Sequence, residues 1–162
     1  MRKENKAMEY ITGAAIGIGF GIIFFHKLIF GAELTSEEKI MIAQTIECEA
    51  GNQSIEGKRY VAAVILNRLG DPTFPDTVSD VLSQPNQFST YPELLDASPT
   101  WQDELALRME LETRSDEEIV FFRAGRYGCG QPKFKFEDHY FSVLADDDKK
   151  MSRPSGRTNG SR

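Results

Sequence analysis

Hydrophobic and polar positions are sorted along this chain into separate zones. The run Ile11 to Phe25 (ITGAAIGIGFGIIFF) carries no charge, and after His26 and Lys27 the apolar pattern resumes with Leu28, Ile29 and Phe30. At ~1.5 Å per residue, a helix from Tyr10 to Phe30 is roughly 30 Å long, the thickness of a bilayer core. It is apolar on every face, which argues against a buried core helix. The expected element is a transmembrane signal anchor over residues 10–30, behind a short n-region (1–9) holding Arg2, Lys3 and Lys6. The basic residues in front of the span predict a cytoplasmic N-terminus and an extracytoplasmic C-terminal part. A cleaved signal peptide, with secretion to the wall, is the alternative. Cleavage after Ala32 would place Phe30 where a small residue is needed. Gly13, Gly17 and Gly21 recur every fourth residue, as a helix-packing face does, although glycine is also common in membrane helices. At the other end, Asp146 onward (DDDKKMSRPSGRTNGSR) has one Met and no other large apolar residue, so 146–162 reads as a polar, disordered tail.

One domain, 33–145, is left between these zones. Its pattern begins as helices. Thr35 followed by Glu38 forms a capping box, and a helix runs through Ile40, Ala43 and Ile46 toward Ala50, with Gly51-Asn52 as the stop. A second helix is expected from Ile55 to Leu69, with Val61, Val64, Ile65 and Leu69 near one face and Gly70 at its end. Asp71 to Pro75 is a loop, Thr77 to Leu82 a short helix, and Gln84 to Tyr91 an irregular polar-aromatic stretch. Ser98 as N-cap with Pro99 at N1 opens a helix through Trp101, Leu105 and Met109 to about Leu111. The remainder is strand-like. Glu118 to Phe122 is β-prone, and after a turn region from Gly125 to Gly130, Phe134 and Phe136 alternate with Lys133 and Lys135. His139 to Val143 either extends that strand or pairs with it. The fold class is therefore α+β, mainly helical, with a small antiparallel sheet or hairpin near the C-terminus.

Composition narrows the chemistry. The 162 residues carry a formal net charge of −6 and a pI near 5.0. A simple basic nucleic-acid binder is excluded, since phosphate binding needs clustered Lys and Arg. There is no P-loop, GxSxG, HExxH or CxxC, and Cys48, Cys129 and His139 lack metal-ligand spacing, so no cofactor or metal is expected. With His26 in the apolar span, His139 is the domain's one histidine. Carboxylates then become the natural acid/base groups. Glu47, Glu49 and Glu56 are close in sequence, but residues two apart point to nearly opposite sides of a helix. Glu47 and Glu49 cannot share one cleft, and one of them is expected at the solvated surface. Glu49 sits at the C-terminal end of its helix, where the dipole disfavours the charged form, as a general acid requires. An ordinary surface glutamate at a helix end fits the same spacing.

Several segments decide between these readings by resemblance. Ile42 to Arg68 (IAQTIECEAGNQSIEGKRYVAAVILNR), Phe74-Pro75, Gln84-Pro85-Asn86-Gln87-Phe88-Ser89 and Asp138-His139-Tyr140-Phe141 occur in an order that resembles the cell wall hydrolase family of the spore cortex-lytic enzymes. The resemblance implies a lysozyme-like fold that cuts the glycan strand of peptidoglycan, with Glu49 at the place of the family's catalytic glutamate. The family is similar to lytic transglycosylases, which need a single acid/base carboxylate. One departure lies in the loop after Glu49-Ala50, where Gly51-Asn52-Gln53-Ser54 replaces the family's common Arg-Gly-Glu-Pro and removes an acidic group.

The resemblance also suggests a sugar-binding role for the Gln84 to Tyr91 loop. Gln84, Asn86 and Gln87 would hydrogen-bond N-acetyl and hydroxyl groups, and Phe88 and Tyr91 would pack on sugar rings. Otherwise these are a loop with two aromatics tucked into the core. Asn67 is a further candidate for substrate contact. Arg68 beside it pairs with a core carboxylate or caps carbonyls, and His139 lines the cleft or orients a neighbour. The expected partners are peptidoglycan and, through residues 10–30, the membrane. That Gly/Ala-rich span also resembles the signal-anchor-release segments of some phage endolysins. Two alternatives remain for the activity. One is a hydrolytic muramidase or glucosaminidase, with Glu56 or Asp138 as second carboxylate. The other is a non-catalytic, membrane-tethered wall-binding protein.

Overall fold

The computed structural model describes residues 33–85, 87–88, 96–115 and 118–146. The expected membrane span and n-region, the tail beyond Asp146, and the candidate residues Asn86 and Tyr91 lie outside the described residues. No helix among the described residues is long and apolar enough to cross a membrane.

Four helices precede three strands. They are α1 (Ser36–Ala50), α2 (Ile55–Gly70), α3 (Val78–Leu82), α4 (Trp101–Glu112), β1 (Phe121–Ala124), β2 (Gln131–Phe136) and β3 (His139–Val143). The α+β expectation holds, as do the first three helix starts. Thr35 and Glu38 form the reciprocal capping box of α1, Ser54 accepts from Gly57 N–H at α2, and Thr77 accepts from Asp80 N–H at α3. The fourth helix starts later than expected. Ser98 and Pro99 remain outside it, and the N-cap is Thr100, whose N–H and hydroxyl both donate to Asp103 at 2.7 Å. A capping carboxylate that also takes part in the core outcompeted the Ser-Pro signal.

Helix α2 is the axis of the domain. Val61 to Leu66 are all buried, so it has neighbours on every side rather than along one stripe. Consecutive alanines at 62 and 63 allow those neighbours a close approach. The expectation of a single apolar face was too narrow, because α1, α3, α4 and β1 all pack on this helix.

The sheet is antiparallel with strand order β1-β3-β2. His139 to Val143 is thus the partner of the Phe134–Phe136 strand, and also the central strand. β1 starts at Phe121, a little later than its apolar run suggests, although Val120 N–H still donates to Ser142 at 3.0 Å. Phe122, Phe141 and Phe134 lie side by side in register. With Tyr60, Phe136 and Val143 they close over Ala63, Val64 and Ile119 of the core. Pro132, which has no N–H to donate, sits at the irregularity of edge strand β2. Gly130 before it has φ +75°, and a Cβ there would stand 2.2 Å from the Val143 carbonyl oxygen, so only glycine fits this turn.

Candidate active site

Glu49 lies in the last turn of α1 and is half-buried. Glu47 is already committed elsewhere. Its carboxylate accepts from the Lys58 ammonium at 3.1 Å, and Lys58 donates to Asp103 at 2.6 Å. Lys58 is 1% exposed and Asp103 fully buried, so this triad ties α1, α2 and α4 together from inside. Neither glutamate is therefore a simple solvated group, which corrects the sequence expectation. Burial opposes ionisation of Asp103, yet hydrogen bonds from Lys58 and Thr100 outweigh it and hold its carboxyl below the usual carboxylate range.

His139, the first residue of β3, stands against Glu49. Burial lowers its pKa, so the ring is neutral near pH 7. The charges of Glu49, Asp138 and Glu137, and a hydrogen bond with the Glu49 main chain, pull the other way. Phe122 and Phe141 meet the imidazole edge-on at 5.2 and 6.0 Å, which fixes its plane. The ring is 5% exposed, and among the described residues its Nδ1 has no hydrogen-bond partner.

The β2–β3 turn is what brings His139 there. Gln53 Nε2 donates to Asp138 Oδ2 at 3.0 Å, and Asp138 N–H donates back to Gln53 Oε1 at 3.3 Å. Beside them, Ser54 N–H donates to Glu137 Oε2 at 3.0 Å. A carboxylate at the first turn of α2 is favoured by the helix dipole. Glu137 has φ +47°, a conformation rare for a residue with a side chain. The turn is thus clasped to the loop that follows Glu49. Gln53 is half of this clasp. Nothing in the local sequence marks that role, because its partner is 85 residues away.

Arg68 organises the other side. Its guanidinium donates to the Val120 carbonyl at 2.6 Å and to Gln87 Oε1 at 2.7 Å, and lies over the rings of Phe74, Phe88 and Phe121 at 5.2–5.4 Å. Burial lowers its pKa to about 10, which leaves it charged at neutral pH. Of the two expected partners, a core carboxylate or carbonyls, it takes a main-chain carbonyl together with a side-chain amide, and through the amide it holds Gln87 of the following loop. Phe88 is 4% exposed and packs on Phe122, so its ring belongs to the core and is not offered to a sugar. Gln87 is engaged by Arg68. Gln84 is half-buried, and its Oε1 has no hydrogen-bond partner among the described residues. Asn67 also serves the fold, since its Nδ2 donates to the Ile119 carbonyl at 2.8 Å and its Oδ1 accepts from Arg114.

The structure therefore brings together Glu49, His139 and Asp138, and separately Arg68, Gln87 and Phe88. Glu56 is drawn to Arg59 at 3.7 Å. Cys48 and Cys129 are not disulfide-bonded. No group of three His, Cys, Asp or Glu among the described residues is arranged to hold a metal ion. An apolar groove between α1 and α4, lined by Ile40, Ala43, Pro99 and Leu107 among others, lies toward the opposite end of α1 from Glu49.

Comparison with known proteins shows what this chain is similar to. The Cell Wall Hydrolase family model matches residues 52–128. Over 49 residues it is 49% identical to the spore cortex-lytic enzyme of Halalkalibacterium halodurans, a match covering 30% of this chain and 15% of that protein. The corresponding enzyme of Bacillus subtilis is 43% identical over 49 residues, or 16% of its length. The chain thus spans only a small part of the curated relatives it matches. In fold it is similar to the catalytic domain of the germination-specific lytic transglycosylase SleB from Bacillus anthracis. That match has a TM-score of 0.62 and 21% identity, and covers 69% of this chain and 98% of that domain. The catalytic domain of the Bacillus cereus SleB protein gives a TM-score of 0.61 at 22% identity, over 68% of this chain and 94% of that one.

Proposed function

We propose that this chain cleaves the glycan strand of peptidoglycan as a lytic transglycosylase, with Glu49 as its single acid/base. The observation that carries this reading is the position of Glu49, at the end of α1 and against the buried His139, in a SleB-like fold. In the first step the protonated Glu49 gives its proton to the oxygen between N-acetylmuramoyl C1 and N-acetylglucosamine, and that C–O bond breaks. In the second, the Glu49 carboxylate takes the proton of the muramoyl 6-hydroxyl as O6 bonds to C1. The products are a 1,6-anhydro end and a free 4-hydroxyl, with Glu49 again protonated. A two-carboxylate hydrolase would need a second, suitably spaced acid free to act. Asp138, beside His139, is the candidate for that role, and one of its oxygens already accepts from Gln53.

Residues 10–30 are proposed as the membrane anchor that holds the domain on the extracytoplasmic side. Partition of the full chain into the membrane fraction tests this, and release of a shortened protein into the medium would replace the anchor with a cleaved signal peptide.

Mass spectrometry of digested peptidoglycan tests the reaction. Anhydro-muramoyl ends are expected, whereas reducing ends would make the enzyme a hydrolase. Replacing Glu49 by Gln should lower cleavage by ~10²–10⁴-fold. Wild-type clearing of a wall suspension by that variant would remove Glu49 from its role. Retention on walls with cleavage by neither form would leave a binding protein.

A further inference from the structure

The outer face of the sheet has a charge opposite to that of the chain. The protein as a whole is at −6, yet residues 121–136 contain Arg123, Arg126, Lys133 and Lys135 and no acidic residue. All four basic residues are exposed. The strand register gathers two of them into a row, since Arg123 of β1 and Lys135 of β2 both pair with Tyr140 of β3. Cross-strand partners project to the same face, and alternation places Tyr140 opposite to its neighbours His139 and Phe141. The inner face thus holds His139 beside Glu49, while the outer face presents Arg-Tyr-Lys across three strands. The Lys135 ammonium lies 5.4 Å from the centre of the Tyr140 ring, and Tyr127, itself 38% exposed, meets that ring edge-on at 5.0 Å.

We propose that this basic-aromatic face is a second contact for the wall, and that it takes peptidoglycan through the carboxylates of its peptide stems, with Tyr127 and Tyr140 against adjoining sugar or peptide. The proposal rests on the reading of the chain as a peptidoglycan-cleaving enzyme. Charge complementarity selects a polyanion, and the two tyrosines among the cations favour one whose charges alternate with packable surface over a bare phosphodiester chain. The face is separated from Glu49 by the thickness of the sheet, so it would hold a neighbouring strand or stem while the cleft works. Such a second, weak contact raises the effective concentration of a polymeric substrate without altering the chemistry at the bond.

The test uses the full chain in detergent, with Glu49→Gln to prevent digestion, and measures co-sedimentation with purified walls. Arg123→Glu combined with Lys135→Glu should lower apparent affinity roughly tenfold at low ionic strength, a difference that shrinks as salt is raised. Arg123→Gln with Lys135→Gln is the milder pair, and should give a smaller loss in the same direction should the reversed pair fold poorly. Walls stripped of phosphodiester polymers should still bind, and walls whose stem carboxylates have been amidated should bind like the charge-reversed protein. Unchanged sedimentation of both variants overturns the proposal, as does loss of binding on stripping the phosphodiester polymers. Cleavage of short soluble glycan fragments by chains with Glu49 intact separates the two claims. Those fragments should be cut equally with or without the basic pair. If no form cuts them, the catalytic reading fails while the sedimentation contrast still decides the face.

Discussion

The two halves that meet at Glu49 are held together by different physics. On the helical side the closest contacts are charged. Lys58 bridges Glu47 and Asp103, and the buried Glu110 accepts from Arg59 at 3.0 Å and from Ser115 N–H at 2.9 Å. On the sheet side they are aromatic, with Tyr60 5.1–5.4 Å from Phe134, Phe136 and Phe141, and His139 wedged against Phe122. Buried ion pairs tolerate little, because removing one partner strands the other charge. Aromatic clusters are more forgiving, since neighbours relax partway into lost volume. Glu49, the proposed acid/base group, therefore sits on the end of a rigidly locked helix, and its histidine neighbour comes from a more deformable sheet.

The sharpest way to break this contrast is to remove one buried charge. Asp103→Ala should cost ~3–5 kcal/mol in urea unfolding, as it leaves Lys58 without its closest partner and the Thr100 cap of α4 without the carboxylate it donates to. Changing Lys58 and Asp103 together to apolar residues of similar size should return much of that loss. A double variant no more stable than the single one would show that the pair is not the lock. On the sheet side, Phe141→Leu should cost less, ~1–2 kcal/mol by the same measurement.

The pH dependence should divide the two halves further. The folded carboxyl of Asp103 lies below its ordinary value of 3.8, so its stabilisation is present above that pH and is lost as pH falls below it. The folded imidazole of His139 lies below its ordinary value of 6.5, so protonation favours the unfolded chain, and stability begins to fall once pH drops below about 6.5. Melting temperature followed from pH 8 to 3 should show two declines. Asp103→Asn should flatten the lower one and His139→Gln the upper one, and a single decline untouched by His139→Gln would contradict this division. The smallest expected effect is that of Gln53→Ala, about 1 kcal/mol for the lost clasp. It should still reduce turnover through the placement of His139, and a variant with unchanged turnover would leave the clasp a structural role alone.

Local signals and long-range contacts differ in how far the sequence discloses them. Thr35, Ser54 and Thr77 mark helix starts because a cap is made within three residues. Thr100 and Asp103 also lie three residues apart, but the Ser98-Pro99 pair just before them carries a competing start signal. The strand pattern of Phe134 and Phe136 was plain, while β3 as the central strand was not, since alternation gives no strand order. At the site, spacing alone left Glu49 equal to a surface glutamate, and only the resemblance distinguished it. The aromatic enclosure of Arg68 had a faint signal, as the residue follows Val61, Val64 and Ile65 on a buried side of α2. Phe88 follows the alternative reading of its loop, an aromatic tucked into the core, where the same cation lies 5.2 Å from its ring.

The Gln53–Asp138 clasp also has a consequence in time. A chain made N-terminus first presents Glu49 long before the β2–β3 turn exists. The charged lock of the helices can form from residues up to Ser115, but the clasp joins positions 85 apart, and Ser54 and Glu137 are 83 apart. Closing so long a loop comes late in folding. A nascent chain would carry Glu49 without the histidine neighbour that stands against it, so the proposed site would be completed only after the sheet has followed the helices across.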